Sequence, residues 1–183
     1  EKTNETRQIG DWVVRVRIPA GPGPHPLMLL LHGWTGDENS MWVFSSRLPE
    51  EALLVAPRAL HPSRLGGYSW YPDRIKELPW IDDFRPAVEA VFDLLTPENF
   101  PQADLSAFRL AGFSQGAALS YALALSRPAR VISLAGMAGF MPDGAHTLVR
   151  DRPLAGKPAY VTHGSQDERV PVERARDAVR LLE

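Results

Sequence analysis

The sequence predicts an α/β domain built on a mostly parallel central sheet with helices on both faces. Three observations carry this. Short uninterrupted apolar runs, such as Pro26 to Leu31 and Ala52 to Ala56, suit strands covered on both faces. Segments with helical spacing of apolar residues lie between such runs. No repeat, linker or low-complexity tract divides the 183 residues, so residues 1–183 read as a single domain with room for a core.

Taken in order, Trp12 to Ile18 alternates, with Val14, Val16 and Ile18 on one face and Arg15 and Arg17 on the other. That is a half-exposed strand near a sheet edge. A Gly/Pro-rich stretch, 19–26, precedes the buried strand ending at Leu31, and Asp37 to Leu48 follows as a modest helix. Ala52 to Ala56 is a buried strand stopped by Pro57. Residues 58–80 form a long irregular segment rich in Gly, Pro and aromatics, and loops of that length in a compact domain are usually functional. From Ile81 the period becomes helical through Leu95. Phe108 to Ala111 is a strand, Gln115 to Ser126 a helix apolar nearly all round, and Val131 to Leu134 and Ala159 to Thr162 two more buried strands. Val172, Ala175, Val179 and Leu182 give a last helix its apolar stripe.

Composition narrows the function. With 22 acidic and 20 basic residues the net charge is −2, so no field of one sign exists to hold nucleic acid or an anionic membrane. No apolar stretch approaches the roughly 20 residues of a membrane span. The chain has no cysteine, which removes disulfide scaffolds, thiolate zinc sites and cysteine nucleophiles together. No H-E-x-x-H metal pattern, phosphate loop or dinucleotide fingerprint occurs, so neither a metal nor a cofactor is expected. Asn4-Glu5-Thr6 matches a glycosylation triplet of a kind that arises by chance. The cytoplasm is the favoured compartment, with a signal peptide left open because a chain opening at Glu1 rather than Met reads as preceded by further residues; monomer and homodimer both stay open.

Gly112-Phe113-Ser114-Gln115-Gly116 is a G-x-S-x-G pentapeptide with a strand running in and a helix running out. Alone it is a Gly/Ser turn. In that context its glycines permit a turn tight enough to present the Ser114 hydroxyl as a nucleophile. Leu31-His32-Gly33-Trp34-Thr35-Gly36-Asp37 follows a buried strand, and its sharp turn can aim a backbone N–H at the serine. The amides of Trp34 and Gln115 are thus the candidate oxyanion-hole donors, while His32 reads as a brace for the loop. His163-Gly164-Ser165-Gln166-Asp167 follows the strand 159–162 and places a carboxylate downstream of the serine. Asp167 is the candidate acid that orients a catalytic histidine. Glu168 competes with it, and a plain helix-capping role for Asp167 is the structural alternative.

These three blocks, in this order, resemble the phospholipase/carboxylesterase branch of the α/β-hydrolases, which includes the acyl-protein thioesterases. The resemblance spans roughly residues 26–182. It implies an α/β-hydrolase fold and a serine hydrolase without a cofactor, acting on a small carboxylic ester or thioester. Ser114 would be its nucleophile, Asp167 its acid, and Trp34 and Gln115 its oxyanion donors. The aromatic segment 66–72, Tyr68 and Trp70 in particular, would line the acyl or alcohol site.

The catalytic histidine should follow Asp167, and none does: the five are His25, His32, His61, His146 and His163. Of these, His163 reads as a brace for the acid loop, His146 lies in a connection that could approach the site, and His25 and His61 read as loop surface. In the resembling family the histidine follows one more strand, in a Gly-His turn before a final helix. The expectation is that residues 1–183 are most of such a hydrolase, with last strand, histidine and helix beyond Glu183. The alternative is an inactive protein of the same fold that keeps the cleft and binds without turnover.

Overall fold

A computed structural model describes residues 2–73 and 79–183; part of the irregular stretch, 74–78, lies outside them. Among the described residues nine strands, β1 (Thr3–Ile9), β2 (Trp12–Ile18), β3 (His25–Leu31), β4 (Leu53–Pro57), β5 (His61–Pro62), β6 (Tyr68–Ser69), β7 (Ala103–Phe113), β8 (Val131–Met137) and β9 (Ala159–Thr162), accompany three α-helices. These are α1 (Arg85–Leu94), α2 (Gln115–Ser126) and α3 (Val172–Leu182). The main sheet has the order β1-β2-β4-β3-β7-β8-β9, and β5 pairs only with β6. From β4 through β9 every neighbouring pair is parallel, whereas β1–β2 and β2–β4 are antiparallel.

Side-chain alternation splits the core into two layers. Leu29 and Leu31 of β3, Leu53 and Val55 of β4 and Leu110 of β7 point to one face, where α1 and α2 pack. Leu30, Leu54, Ala56 and Ala111 point to the other, where Met41 covers them from a 3-10 segment, Ser40–Arg47. The helix expected over Asp37 to Leu48 is therefore a tighter one. Helix α2 is the central pillar, with every residue but Ser126 buried. A Cβ at Gly116 would stand 2.1 Å from the Leu31 carbonyl oxygen, so glycine lets the first turn of α2 rest directly on the end of β3.

Two expectations change. The strand Trp12 to Ile18 lies inside the sheet because Thr3–Ile9 pairs along its whole length. Arg17, expected at the surface, is 2% exposed, and its guanidinium donates to the carbonyls of Ser45 (2.7 Å), Ala52 (3.2 Å) and Pro49. Polar in type, it is sheltered because Nη1 and Nη2 find backbone acceptors, while Nε has no partner among the described residues. Conversely Ala159–Thr162, expected to be buried, forms the sheet edge among the described residues, with Tyr160 63% exposed.

Candidate active site

The carboxyl ends of β3, β7, β8 and β9 open on one side of the sheet. The chain leaves β3 toward β4 on one flank and reaches β7 on the other, so the crevice between β3 and β7 is a topological switch point, where open α/β sheets bind ligands. Four loops meet there.

Ser114 sits between β7 and α2 at φ 52°, ψ −114°, a conformation that a side chain adopts only under constraint. The constraint is visible. The Ser114 N–H donates to Met137 O at 2.8 Å, and its carbonyl accepts from Ala117 and Ala118. On either side, a Cβ at Gly112 would strike Gly116 O at 2.2 Å. Thr35 (φ 65°) and Ala138 (φ 49°) share the left-handed region. Three of the four described non-glycine residues with positive φ therefore surround this crevice, the clustering expected where strain serves a site.

The loop after β3 folds against the serine. A Cβ at Gly33 would lie 3.4 Å from the Ser114 Cβ. Its other wall is pinned to β6: Thr35 N–H donates to Tyr68 O and Tyr68 N–H to Gly36 O, each at 3.0 Å. His32 braces the turn from beneath, as expected. Its Nδ1–H donates to Gly33 O (2.7 Å) and its Nε2 accepts the Ala59 N–H (3.0 Å). Burial, outweighing the nearby Gly33 carbonyl and Asp37 and Glu38 carboxylates, holds its pKa below the ordinary imidazole value.

Gln115 contributes more than its amide. The side chain is 3% exposed; its Oε1 accepts the Trp70 N–H at 2.9 Å and its Nε2 donates to Ser69 Oγ at 3.0 Å. Ser69 Oγ in turn donates to Tyr71 O at 2.6 Å. This clamp fastens the aromatic segment to the serine turn, a role of the Gln115 side chain that the G-x-S-x-G pattern does not encode.

Asp167 reaches the same crevice from the loop after β9. Its Oδ1 accepts the N–H groups of Val170 and Arg169, both at 2.9 Å. These two bonds, with His163 and Arg169 charge behind them, hold the carboxyl below the usual carboxylate range. Oδ2 takes no hydrogen bond among the described residues and lies 3.7 Å from His163 Nε2. His163 itself donates from Nε2 to Val170 O at 2.6 Å, closing the loop as a brace.

One cavity of about 620 Å³ gathers Ser114, Gln115, Gly33, Trp34 and Asp167. Glu168 is exposed and does not line it. Trp70 and Tyr68 do not line it either. Trp70 is 2% exposed, donating from Nε1 to His32 O at 2.8 Å and packing 5.0 Å from the His32 ring. Tyr68 faces Arg58, whose guanidinium lies 4.7 Å from its ring. Both aromatics support the wall from behind, the Trp70 indole N–H held by the His32 carbonyl and the Tyr68 hydroxyl by the Arg58 guanidinium. Tyr71, with Phe113 and Phe140, forms the apolar wall instead. None of the five histidines lines this cavity. His146 faces a separate cavity of about 640 Å³ beside Trp80 and Leu148, and His25 opens β3 half-buried rather than on a loop.

Residues 15–183 match the family described as Phospholipase/Carboxylesterase. The chain is 27% identical over 195 residues to acyl-protein thioesterase 1 of Kluyveromyces lactis, covering 93% of this chain and 81% of that one. Among solved structures it is similar to a Bacillus cereus carboxylesterase (TM-score 0.80, 18% identity, 93% of this chain and 79% of that one). It is likewise similar to a carboxylesterase from Mesorhizobium loti (TM-score 0.77, 24% identity, 98% and 83%). At those identities the two structures speak for the fold.

Proposed function

The chain belongs to the phospholipase/carboxylesterase family, and from that premise we propose that it is a serine hydrolase cleaving carboxylic esters, thioesters included, through an acyl-enzyme on Ser114. One observation carries the reading: a serine held at positive φ at the head of a buried helix opens into a cavity shared with two candidate oxyanion amides and a carboxylate.

The chemistry follows from those positions. The Ser114 Oγ attacks the carbonyl carbon while its proton passes to an imidazole. The carbonyl oxygen, now anionic, takes hydrogen bonds from the Trp34 and Gln115 N–H groups. Gln115 opens α2, so its amide has no acceptor within the helix, and the helix dipole favours negative charge there. No described residue accepts the Trp34 N–H. Collapse of the tetrahedral intermediate expels the alcohol or thiol, which takes the proton from the imidazolium. Water, deprotonated by the same imidazole, then releases the acid and frees Ser114. Asp167 serves this cycle with Oδ2, its other oxygen being occupied by Arg169 and Val170. This reading assigns the imidazole to none of the chain's five histidines, since none of them lines the cavity.

Labelling of the full-length protein with a fluorophosphonate, followed by peptide mapping, tests the proposal. Modification at Ser114 together with hydrolysis of p-nitrophenyl butyrate is the expected result. Folded full-length protein that does neither would overturn it.

A further inference from the structure

The cavity around Ser114 is lined by a cation that forms no ion pair with any described carboxylate, although its charge is felt by Asp167. Among the described residues, Leu65, Tyr71, Pro79, Phe113, Phe140 and Val170 give it apolar walls, and Asp167 and Arg169 are the ionisable residues that line it. Asp167 is committed through Oδ1 to two backbone amides. Arg169 forms no ion pair with any described carboxylate, although its backbone is tied to the cavity by the 2.9 Å bond from its N–H to Asp167. Among the described residues, most other arginines that meet a carboxylate do so at the surface or on a helix, as in Arg127–Glu89 and Arg176–Glu173. Arg169 instead is exposed and lines the cavity, where low-dielectric walls concentrate the field of a guanidinium on whatever enters.

We propose that Arg169 is a specificity-determining residue that selects esters bearing an oxyanionic group, a carboxylate or a phosphate, near the scissile bond. This rests on the ester-hydrolase reading of the same cavity and adds the substrate class to it. The apolar walls take the hydrocarbon part of such a substrate. The guanidinium takes its anionic group through paired N–H···O bonds, the geometry that favours arginine over lysine for planar oxyanions.

The test separates this inference from the reading beneath it by measuring binding of amides that the protein does not turn over. Ligand-observed NMR titrations of the full-length protein compare 4-acetamidobenzoate, 4-acetamidophenyl phosphate and the neutral 4-acetamidobenzamide. At least one anion binds about fivefold more tightly than the carboxamide, the scale of a solvent-accessible ion pair, and whichever of the two binds better identifies the source of the anionic group. In Arg169→Gln the preference disappears while carboxamide affinity, which reports an intact cavity, is unchanged; in Arg169→Lys part of it remains. Added salt shrinks the preference in the parent protein. Equal binding of all three ligands, no binding of any, or a preference that survives in Arg169→Gln overturns the proposal. Hydrolysis of p-nitrophenyl butyrate by the same preparations reads the ester-hydrolase assignment independently.

Discussion

The Gln115 carboxamide oxygen accepts the Trp70 backbone N–H at 2.9 Å, joining the serine turn to an aromatic segment 45 residues away in sequence. The bond is fully buried, and its partner atom Nε2 is spent on Ser69 Oγ at 3.0 Å. The residue following the candidate nucleophile thus sets the wall opposite it. Replacing Gln115 by Leu fills the same volume but leaves the Trp70 N–H without an acceptor, a loss worth about 1–3 kcal/mol for a buried donor. The expected outcome is a lower urea midpoint by that amount and a raised KM, because Tyr71 hangs from the same segment. The Gln115 amide itself stays in place, so kcat falls less than kcat/KM. Urea titration and steady-state kinetics on p-nitrophenyl esters check both.

Ser114 gives the second prediction. Its φ of 52° costs a side-chain-bearing residue what glycine does not pay. Ser114→Gly therefore raises stability by about 1 kcal/mol while abolishing fluorophosphonate labelling; Ser114→Ala abolishes labelling without the gain. Thermal unfolding of the two variants side by side separates backbone strain from loss of the hydroxyl.

His32 makes stability depend on pH in a definite direction. Unfolded, the imidazole titrates near 6.5; folded, it titrates lower, chiefly because burial penalises the charged form. As pH falls, the unfolded chain takes up the proton first. The stability that neutral His32 contributes is thus complete above about 6.5 and is lost progressively as pH drops toward and through the folded value. The geometry agrees, since Nε2 accepts the Ala59 N–H and can do so only unprotonated. Urea midpoints measured from pH 8 to pH 5 fall with pH, and His32→Asn flattens the His32 part of that slope while lowering the midpoint at pH 8.

What the sequence revealed, and what it concealed, follows from the range of the interactions. The serine turn was legible because its signal is local: two glycines at fixed offsets, a strand before and a helix after. The same holds for Asp167, whose carboxylate folds back on amides two and three residues ahead. Trp70 was misplaced because composition marks an aromatic loop as a binding wall, whereas only the folded chain supplies the His32 carbonyl its indole N–H reaches. Arg17 was misplaced for the same reason: alternation says which face a residue takes, but not that three carbonyls from residues 45–52 wait on that face. Long-range polar pairs leave no periodic trace.

Glu38 and Arg58 form such a pair, and they yield a fourth prediction. Arg58 Nε and Nη2 donate to the two Glu38 carboxylate oxygens at 2.7 and 2.9 Å, while Arg58 Nη1 reaches the Tyr68 hydroxyl at 3.2 Å. The pair ties the start of the 3-10 segment to the loop after β4 and holds Tyr68 behind the site. Burial alone would raise the Glu38 pKa, but the Arg58 bonds and charge outweigh it and hold the group below its ordinary value. Glu38→Gln keeps the shape and removes the charge, leaving Arg58 partly buried without its counterion. The expected loss is about 1–3 kcal/mol at pH 7, shrinking in acid as the parent carboxylate itself becomes protonated. Denaturation at pH 7 and pH 4 gives the comparison.

Tyr121 supplies the last prediction. It stands in the middle of α2, fully buried, and burial pushes its phenol up to about 12. Its hydroxyl has no hydrogen-bond partner among the described residues. Glycine at 136 accommodates the ring on β8, where a Cβ would lie 2.1 Å from the hydroxyl oxygen. A buried hydroxyl without a partner costs about 1–3 kcal/mol in lost hydration. Tyr121→Phe removes the oxygen, leaves the packed ring and creates only a small void, so the variant is more stable by about 1 kcal/mol. Ser114 labelling rate is unchanged in it, because Tyr121 packs in the core and does not line the cavity. A urea midpoint equal to or below that of the parent protein would mean that the hydroxyl is satisfied, with buried water the first candidate.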